Sequence, residues 1–213
     1  MKRSRYVPIV AAALLGILPV GASGSPVSAS NSDVPAIVRV VGATSGVPDV
    51  SAGQFKVVAR GFDNGPRPNA SIVVDFSNCP DVVICASQFD PAVTADCGLK
   101  TVRKITNALG EVTFTILGAS VGVGRGSPQP HAGRIFGNGI LLRSPNVAVY
   151  DLDGRGGLGP SDLSAWLTDF ASGAAPPRSD YDGDGLLGAA DLSMLLSVFA
   201  AGTSTESCRT ACP

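Results

Sequence analysis

Two stretches near the C-terminus repeat each other. Residues 151–170 read Asp-Leu-Asp-Gly-Arg-Gly-Gly-Leu-Gly-Pro-Ser-Asp-Leu-Ser-Ala-Trp-Leu-Thr-Asp-Phe. Residues 180–199 read Asp-Tyr-Asp-Gly-Asp-Gly-Leu-Leu-Gly-Ala-Ala-Asp-Leu-Ser-Met-Leu-Leu-Ser-Val-Phe. Eleven of the twenty positions are identical without a gap. A repeat this close means two copies of one supersecondary unit. Each copy is an acidic, glycine-rich loop followed by an apolar stripe at helical spacing: Leu163, Trp166, Leu167 and Phe170, then Leu192, Leu195, Leu196 and Phe199. Helices this short are marginal alone, so the two stripes are expected to pack on each other. Ala171 to Ser179, with Pro176 and Pro177, links the copies.

The loops carry the chemistry. In the second, Asp180, Asp182 and Asp184 fall at positions 1, 3 and 5 of a twelve-residue pattern, with Gly185 at the sharp turn of position 6. Leu186 at position 7 offers a backbone carbonyl and Asp191 closes the loop at position 12. Ca²⁺ is a hard cation that takes six to eight oxygens, which is what such an alternation supplies. Without a cation, four carboxylates this close repel one another. Leu187 at position 8 points into the core. The first loop keeps Asp151, Asp153 and Asp162 at positions 1, 3 and 12, Gly156 at position 6 and the Gly157 backbone at position 7. Position 5 is Arg155, which brings a positive charge and no oxygen. This loop is expected to bind calcium more weakly or not at all. Alternatively, Arg155 itself neutralises the carboxylates.

The duplicated loop and exit helix, with Asp at position 12 and no entering helix, resembles a dockerin domain over roughly residues 150–202. The resemblance implies a calcium-stabilised module of a secreted bacterial protein that docks onto a cohesin-like or other extracellular partner, often beside polysaccharide-degrading enzymes. Carried over residue by residue, the ligands would be Asp180, Asp182, Asp184, Leu186 and Asp191, and in the first loop Asp151, Asp153, Gly157 and Asp162. Cellulosomal dockerins often hold Ser-Thr at positions 10 and 11 and a basic pair in the helix. Here those positions are Pro160 and Ser161, Ala189 and Ala190, then Leu167 and Thr168, Leu196 and Ser197. The familiar cohesin-recognition code is absent.

Residues 30–150 read as short strands between turns. In Glu111-Val112-Thr113-Phe114-Thr115-Ile116 apolar and polar residues alternate, which puts Val112, Phe114 and Ile116 on one sheet face. Thr101 to Thr106, across the turn Asn107–Gly110, is the expected hairpin partner. Other expected strands are Ala36–Val41, Gln54–Phe62, Ser71–Phe76, Gly133–Phe136 and Val147–Tyr150. Short strands with no helices between them predict a β-sandwich. The stretches Gly65-Pro66-Arg67-Pro68-Asn69-Ala70-Ser71-Ile72-Val73-Val74 and Thr106-Asn107-Ala108-Leu109-Gly110-Glu111-Val112-Thr113-Phe114 resemble bacterial immunoglobulin-like modules of the invasin or adhesin kind. The fold class expected is an all-β immunoglobulin-like sandwich followed by a small α-helical dockerin-like calcium-binding domain. The loop 77–100, with three cysteines, is long for a compact domain and is expected to be a disulfide-tied insertion.

The N-terminus reads as a secretory signal peptide over 1–29. Lys2, Arg3 and Arg5 precede the apolar run Val7 to Val20, and cleavage is plausible after Ala22 or Ala29. The run falls short of the ~20 residues a spanning helix needs, and no later segment could span, so no membrane span is expected in the mature chain. Charge then divides unevenly. Residues 30–150 hold 10 basic and 8 acidic side chains, and residues 151–213 hold 3 and 9. The asymmetry sets a boundary near Tyr150, giving a sandwich over 30–150, the repeat over 151–202 and a tail over 203–213. A formal net charge of −1 for the whole chain argues against a nucleic-acid partner. The five cysteines match no common zinc spacing and, in an exported protein, read as disulfides. Cys208–Cys212 is the expected pair, and one of Cys79, Cys85 and Cys97 is left over.

Catalytic constellations are missing from the sequence. His131 is the sole histidine and Glu occurs only as Glu111 and Glu206. Gly122-Val123-Gly124-Arg125-Gly126 lacks the strand-to-helix setting of a phosphate loop. The expectation is a secreted, extracellular or cell-surface, non-catalytic protein attached through its calcium repeat. The alternative is an accessory of polysaccharide breakdown with a carbohydrate-binding sandwich, although sugar-stacking aromatics are scarce: Tyr150 and Tyr181 flank the loops.

Overall fold

The computed structural model describes residues 26–44, 47–122, 129–201 and 212. The expected leader up to residue 25, most of the glycine-rich stretch 122–126, and Cys208 lie outside them.

The chain alternates between two five-stranded sheets. The first is built from β1 (Ile37–Val41), β4 (Gln54–Val58), β6 (Val82–Ile84), β9 (Glu111–Ser120) and β12 (Asn146–Val149). Its order is β12-β1-β9-β4, with β6 also paired to β9, and β1 runs parallel to both neighbours. The second holds β5 (Ser71–Asp75), β7 (Thr94–Asp96), β8 (Thr101–Ile105), β10 (Arg134–Gly137) and β11 (Ile140–Arg143) in the order β11-β10-β5-β8-β7. A small hairpin, β2 (Ala43–Thr44) and β3 (Val47–Pro48), leads into one turn of helix, α1 (Val50–Gly53). Helices α2 (Pro160–Ser172) and α3 (Ala189–Ala200) follow the two acidic loops. The molecule is thus mostly sheet, in a sandwich-like arrangement.

The core between the sheets follows from strand alternation. Val38 and Val40 of β1, Val112, Phe114 and Ile116 of β9, and Val57 of β4 bury one face of the first sheet. Ile72 and Val74 of β5, Val102 of β8 and Ile135 of β10 meet them from the second. The first sheet is covered on its other face too. Val41, Leu117 and Ala148, the alternate residues of β1, β9 and β12, join Tyr150, Leu152, Ala165, Trp166, Tyr181, Leu195 and Val198 in a second buried cluster. Being covered on both faces explains why the end of β9, Ile116 to Ser120, is buried throughout and reads as a continuous run.

Several expectations are corrected. Thr101–Ile105 is a strand but not the hairpin partner of Glu111–Ser120. It pairs with β5 and β7, while β9 pairs with β4, β1 and β6. The turn at Asn107–Gly110 therefore crosses between sheets, and Lys104 spans the gap by donating to the Thr113 carbonyl. The helix stripes bury only half of themselves together: Trp166 and Leu195, with Leu163 and Leu192 against them, share one buried cluster. Leu167, Phe170, Leu196 and Phe199 are exposed, whereas Ala165, Trp166, Leu195 and Val198 pack beneath the first sheet.

Cys212 pairs with Cys97, not with Cys208. The backbone N–H of Cys212 also donates to the Ile84 carbonyl, so the C-terminus returns to the sandwich. Cys85 is disulfide-bonded as well, and the leftover thiol is Cys79, buried in the core. Burial pushes that thiol up to about 12, which leaves it protonated and unreactive at neutral pH. The loop 77–100 contains β6 and β7 and is tied down further by Gln88, whose side chain accepts from and donates to the backbone of Leu117. Val27 is buried between the sheets, and Ser28 donates to the Arg60 carbonyl, so the folded unit includes residues ahead of Ser30.

Candidate metal centres

Each acidic loop is wound by hydrogen bonds from its own backbone to its carboxylates. In the second, Asp180 Oδ1 and Oδ2 accept the N–H groups of Gly183 and Gly185. Asp182 accepts from Asp184, and Asp184 from Leu186. Gly183 and Gly185 adopt φ of 80° and 84°, a conformation that favours glycine. In the first loop, Asp151 accepts from Arg155 and Gly157, and Asp153 also accepts from Arg155.

The residue at position 12 serves two ends. Asp162 and Asp191 each sit in the first turn of a helix whose N-cap is a glycine with no side chain to offer. The carboxylate reaches back instead, accepting from Gly159 at 2.6 Å and from Gly188 at 2.9 Å. The other oxygen closes the loop. Asp162 Oδ1 accepts from Asp153, and Asp191 Oδ1 from Tyr181 and Asp182.

Two carboxylate clusters result. Asp151, Asp153 and Asp162 present ligand oxygens all within 4.8 Å of one another, and so do Asp180, Asp182 and Asp184. Asp191 is not part of the second cluster. Among the other expected ligand positions, Gly157 is buried and Leu186 is exposed. The donor set fits a hard divalent cation. It is all oxygen, and it gathers groups that ionise at a cost without one. Burial, with Asp162 and Asp153 alongside, raises Asp151 to about 7. Burial also raises Asp162 and Asp180. Arg155 makes no close contact with these carboxylate side chains through its own side chain among the described residues. That side chain is exposed. It lines, with Asp153, Ser161, Ser164 and Thr168, a cavity of about 500 Å³ beside the first loop.

The residues that seat the loops were not legible beforehand. Asp169 and Arg178 form a buried bidentate ion pair, and Ser179 adds a third bond to Asp169. Trp166 Nε1 donates to the Ser179 carbonyl, and Val149 donates to that of Arg178. Tyr181, inside the second loop, stacks on Tyr150 at 4.5 Å, and its hydroxyl donates to the Val149 carbonyl. Both tyrosines are buried, so neither is open to a sugar ring. An arginine beside two prolines and a tyrosine in an acidic loop carry no periodicity that would announce such partners. His131 is exposed, with its backbone N–H on the Asn146 side chain.

Compared with known protein families, curated proteins and solved structures, the chain matches none.

Proposed function

We propose that the chain is a secreted, non-catalytic calcium-binding protein whose duplicated loops hold the ion and whose helices dock on a cohesin-like or other extracellular partner. The observation that carries the reading is the pair of three-carboxylate clusters, one in each copy of the repeat. Ca²⁺ suits them better than Mg²⁺. The loops combine several carboxylates with backbone carbonyls, and Mg²⁺ prefers to keep its waters. The second loop would hold the ion through Asp180, Asp182 and Asp184, the Leu186 carbonyl and a reoriented Asp191. The first would use Asp151, Asp153, Asp162 and the Gly157 carbonyl, one oxygen short at Arg155.

The docking half of the proposal draws on exposure. Leu167 and Leu196 hold the same position in the two copies, as do Phe170 and Phe199. These four are 48%, 41%, 52% and 42% exposed, although they belong to apolar stripes. Exposed apolar side chains at repeated positions suit a partner surface. The buried Val27 favours leader cleavage after Ala22, since cutting after Ala29 would remove a core side chain.

The test is calcium titration of the mature full chain by calorimetry, with Asp182→Ala as control, followed by retention on immobilised cohesin modules and on insoluble polysaccharide. Saturable binding lost in Asp182→Ala, with calcium-dependent retention on the protein partner, is the expected result. No heat of binding removes the calcium reading, and retention on polysaccharide alone replaces the protein partner with a glycan.

A further inference from the structure

Both loops are fastened to the first sheet through residues that also shape the carboxylate clusters. In the first loop the Asp151 carbonyl accepts the N–H of Ser120, the last residue of β9, at 2.8 Å. Three residues on, Gly154 lies against the Ser120 carbonyl so closely that a Cβ there would stand 2.3 Å from that oxygen. In the second loop Asp191 Oδ1 accepts the Tyr181 N–H at 2.7 Å. Tyr181 in turn donates its hydroxyl to the Val149 carbonyl of β12 and accepts Arg39 Nε–H from β1 at 2.6 Å. The Asp151 backbone in the first loop and, through Tyr181, the Asp191 carboxylate in the second are therefore one or two hydrogen bonds from the strand ends.

The packing points the same way. Tyr150, Leu152, Trp166, Tyr181, Leu195 and Val198 form a single buried cluster with the outer face of the first sheet. Lifting the repeat away would expose Val41, Leu117 and Ala148 to water and unpair the backbone of Val149 and Ser120, so its opening costs burial and pairing at the sheet end itself. The return of Cys212 to Cys97 holds the far end of the same segment on the sandwich.

We infer that the acidic loops and the first sheet open as one unit, so that cation occupancy of the loops stabilises β1, β9 and β12 and not merely the segment that holds the ion. This rests on the calcium reading above. It turns the repeat from an appended module into the outer layer of the sandwich, and makes calcium a control on the stability of the whole chain. By contrast, a separable module joined by a solvated linker would leave the sandwich indifferent to calcium.

Amide hydrogen exchange of the mature full chain, in calcium and in EGTA, tests the inference, with calorimetry on the same sample. At free calcium 100 times the Kd, mass action slows exchange about 100-fold wherever opening requires release of the ion. The inference expects that slowing at amides of residues 37–41, 111–120 and 146–149 as well as within 151–201. Calorimetric binding with slowing confined to 151–201 overturns it and leaves the calcium reading standing. If calorimetry finds no binding, the calcium reading falls and the inference with it.

Discussion

The two acidic loops began as copies and now do different work in the fold. Positions 1 and 12 are buried in both, but the first gathers its position-12 carboxylate into the cluster, and it abuts the end of β9. The second gathers positions 1, 3 and 5 and leaves Asp182 and Asp184 exposed, while Asp191, held by backbone N–H groups as Asp162 is, stands outside the cluster. The two loops also differ at position 5. Arg155 withdraws an oxygen from the first loop and sends its guanidinium outward, whereas Asp184 completes a row of carboxylates in the second. The duplicated sequence winds both loops alike, and the side chain at position 5 sets how many carboxylates each cluster can offer.

Four changes bear on that comparison. The largest effect is expected from Asp180→Ala. It removes a buried carboxylate that also accepts from Gly183 and Gly185, and should weaken calcium binding at the second loop on the order of 100-fold or more, read by calorimetry. The matching Asp151→Ala should leave the second loop's affinity in place. Next, Arg155→Asp trades a positive charge for an oxygen ligand and should strengthen binding at the first loop about ten-fold, seen as a second site in the same titration. An unchanged stoichiometry would mean that the first loop is limited by its packing against Ser120 and not by position 5.

The third change is in pH. Asp151 lies at about 7 in the folded protein, well above the ordinary carboxylate value of 3.8. Between those limits the folded state binds more protons than the unfolded one, so this group's contribution is full below the lower value and is lost as pH rises through about 7. Denaturant midpoints of EGTA-treated protein should therefore rise as pH falls from 7 towards 5, and Asp151→Asn should flatten that trend. Calcium binding at the first loop should weaken over the same interval, because the ion needs the ionised form. The smallest effects belong to Leu167→Ala and Leu196→Ala. Both side chains are exposed, so each should shift stability by no more than about 0.5 kcal/mol in thermal unfolding. A loss of several times that at either position would place it in a contact the fold itself uses.

Much of the architecture was legible in the sequence because it is locally encoded. The alternation from Glu111 to Ile116 marks a strand, and the repeat places both loops and both helices. What pairs with what was less legible. The Thr101–Thr106 alternation fits a partner in either sheet equally well, and only the fold sends it to β5 and β7. Cysteine spacing carries no geometry, so the bond from Cys97 to Cys212 across 115 residues could not be read. The half-exposed helix stripes failed for a related reason. An apolar stripe says that a helix has something to bury, not that the buried edge will be Trp166 and Ala165 or that Asp169 will sit inside with Arg178. At the candidate site, residue types and spacing identified every carboxylate in the two clusters, while the tyrosines and Ser120 that seat the loops emerged only from the packing.

Calcium titration of the mature full chain, by calorimetry, alongside Asp182→Ala and Arg155→Asp, tests the central claim most directly. The expected result is saturable binding at the second loop that Asp182→Ala removes, and binding at the first loop that Arg155→Asp strengthens into a resolved second site. Binding that neither substitution alters, or no binding at all, would contradict the assignment of the two clusters as calcium loops.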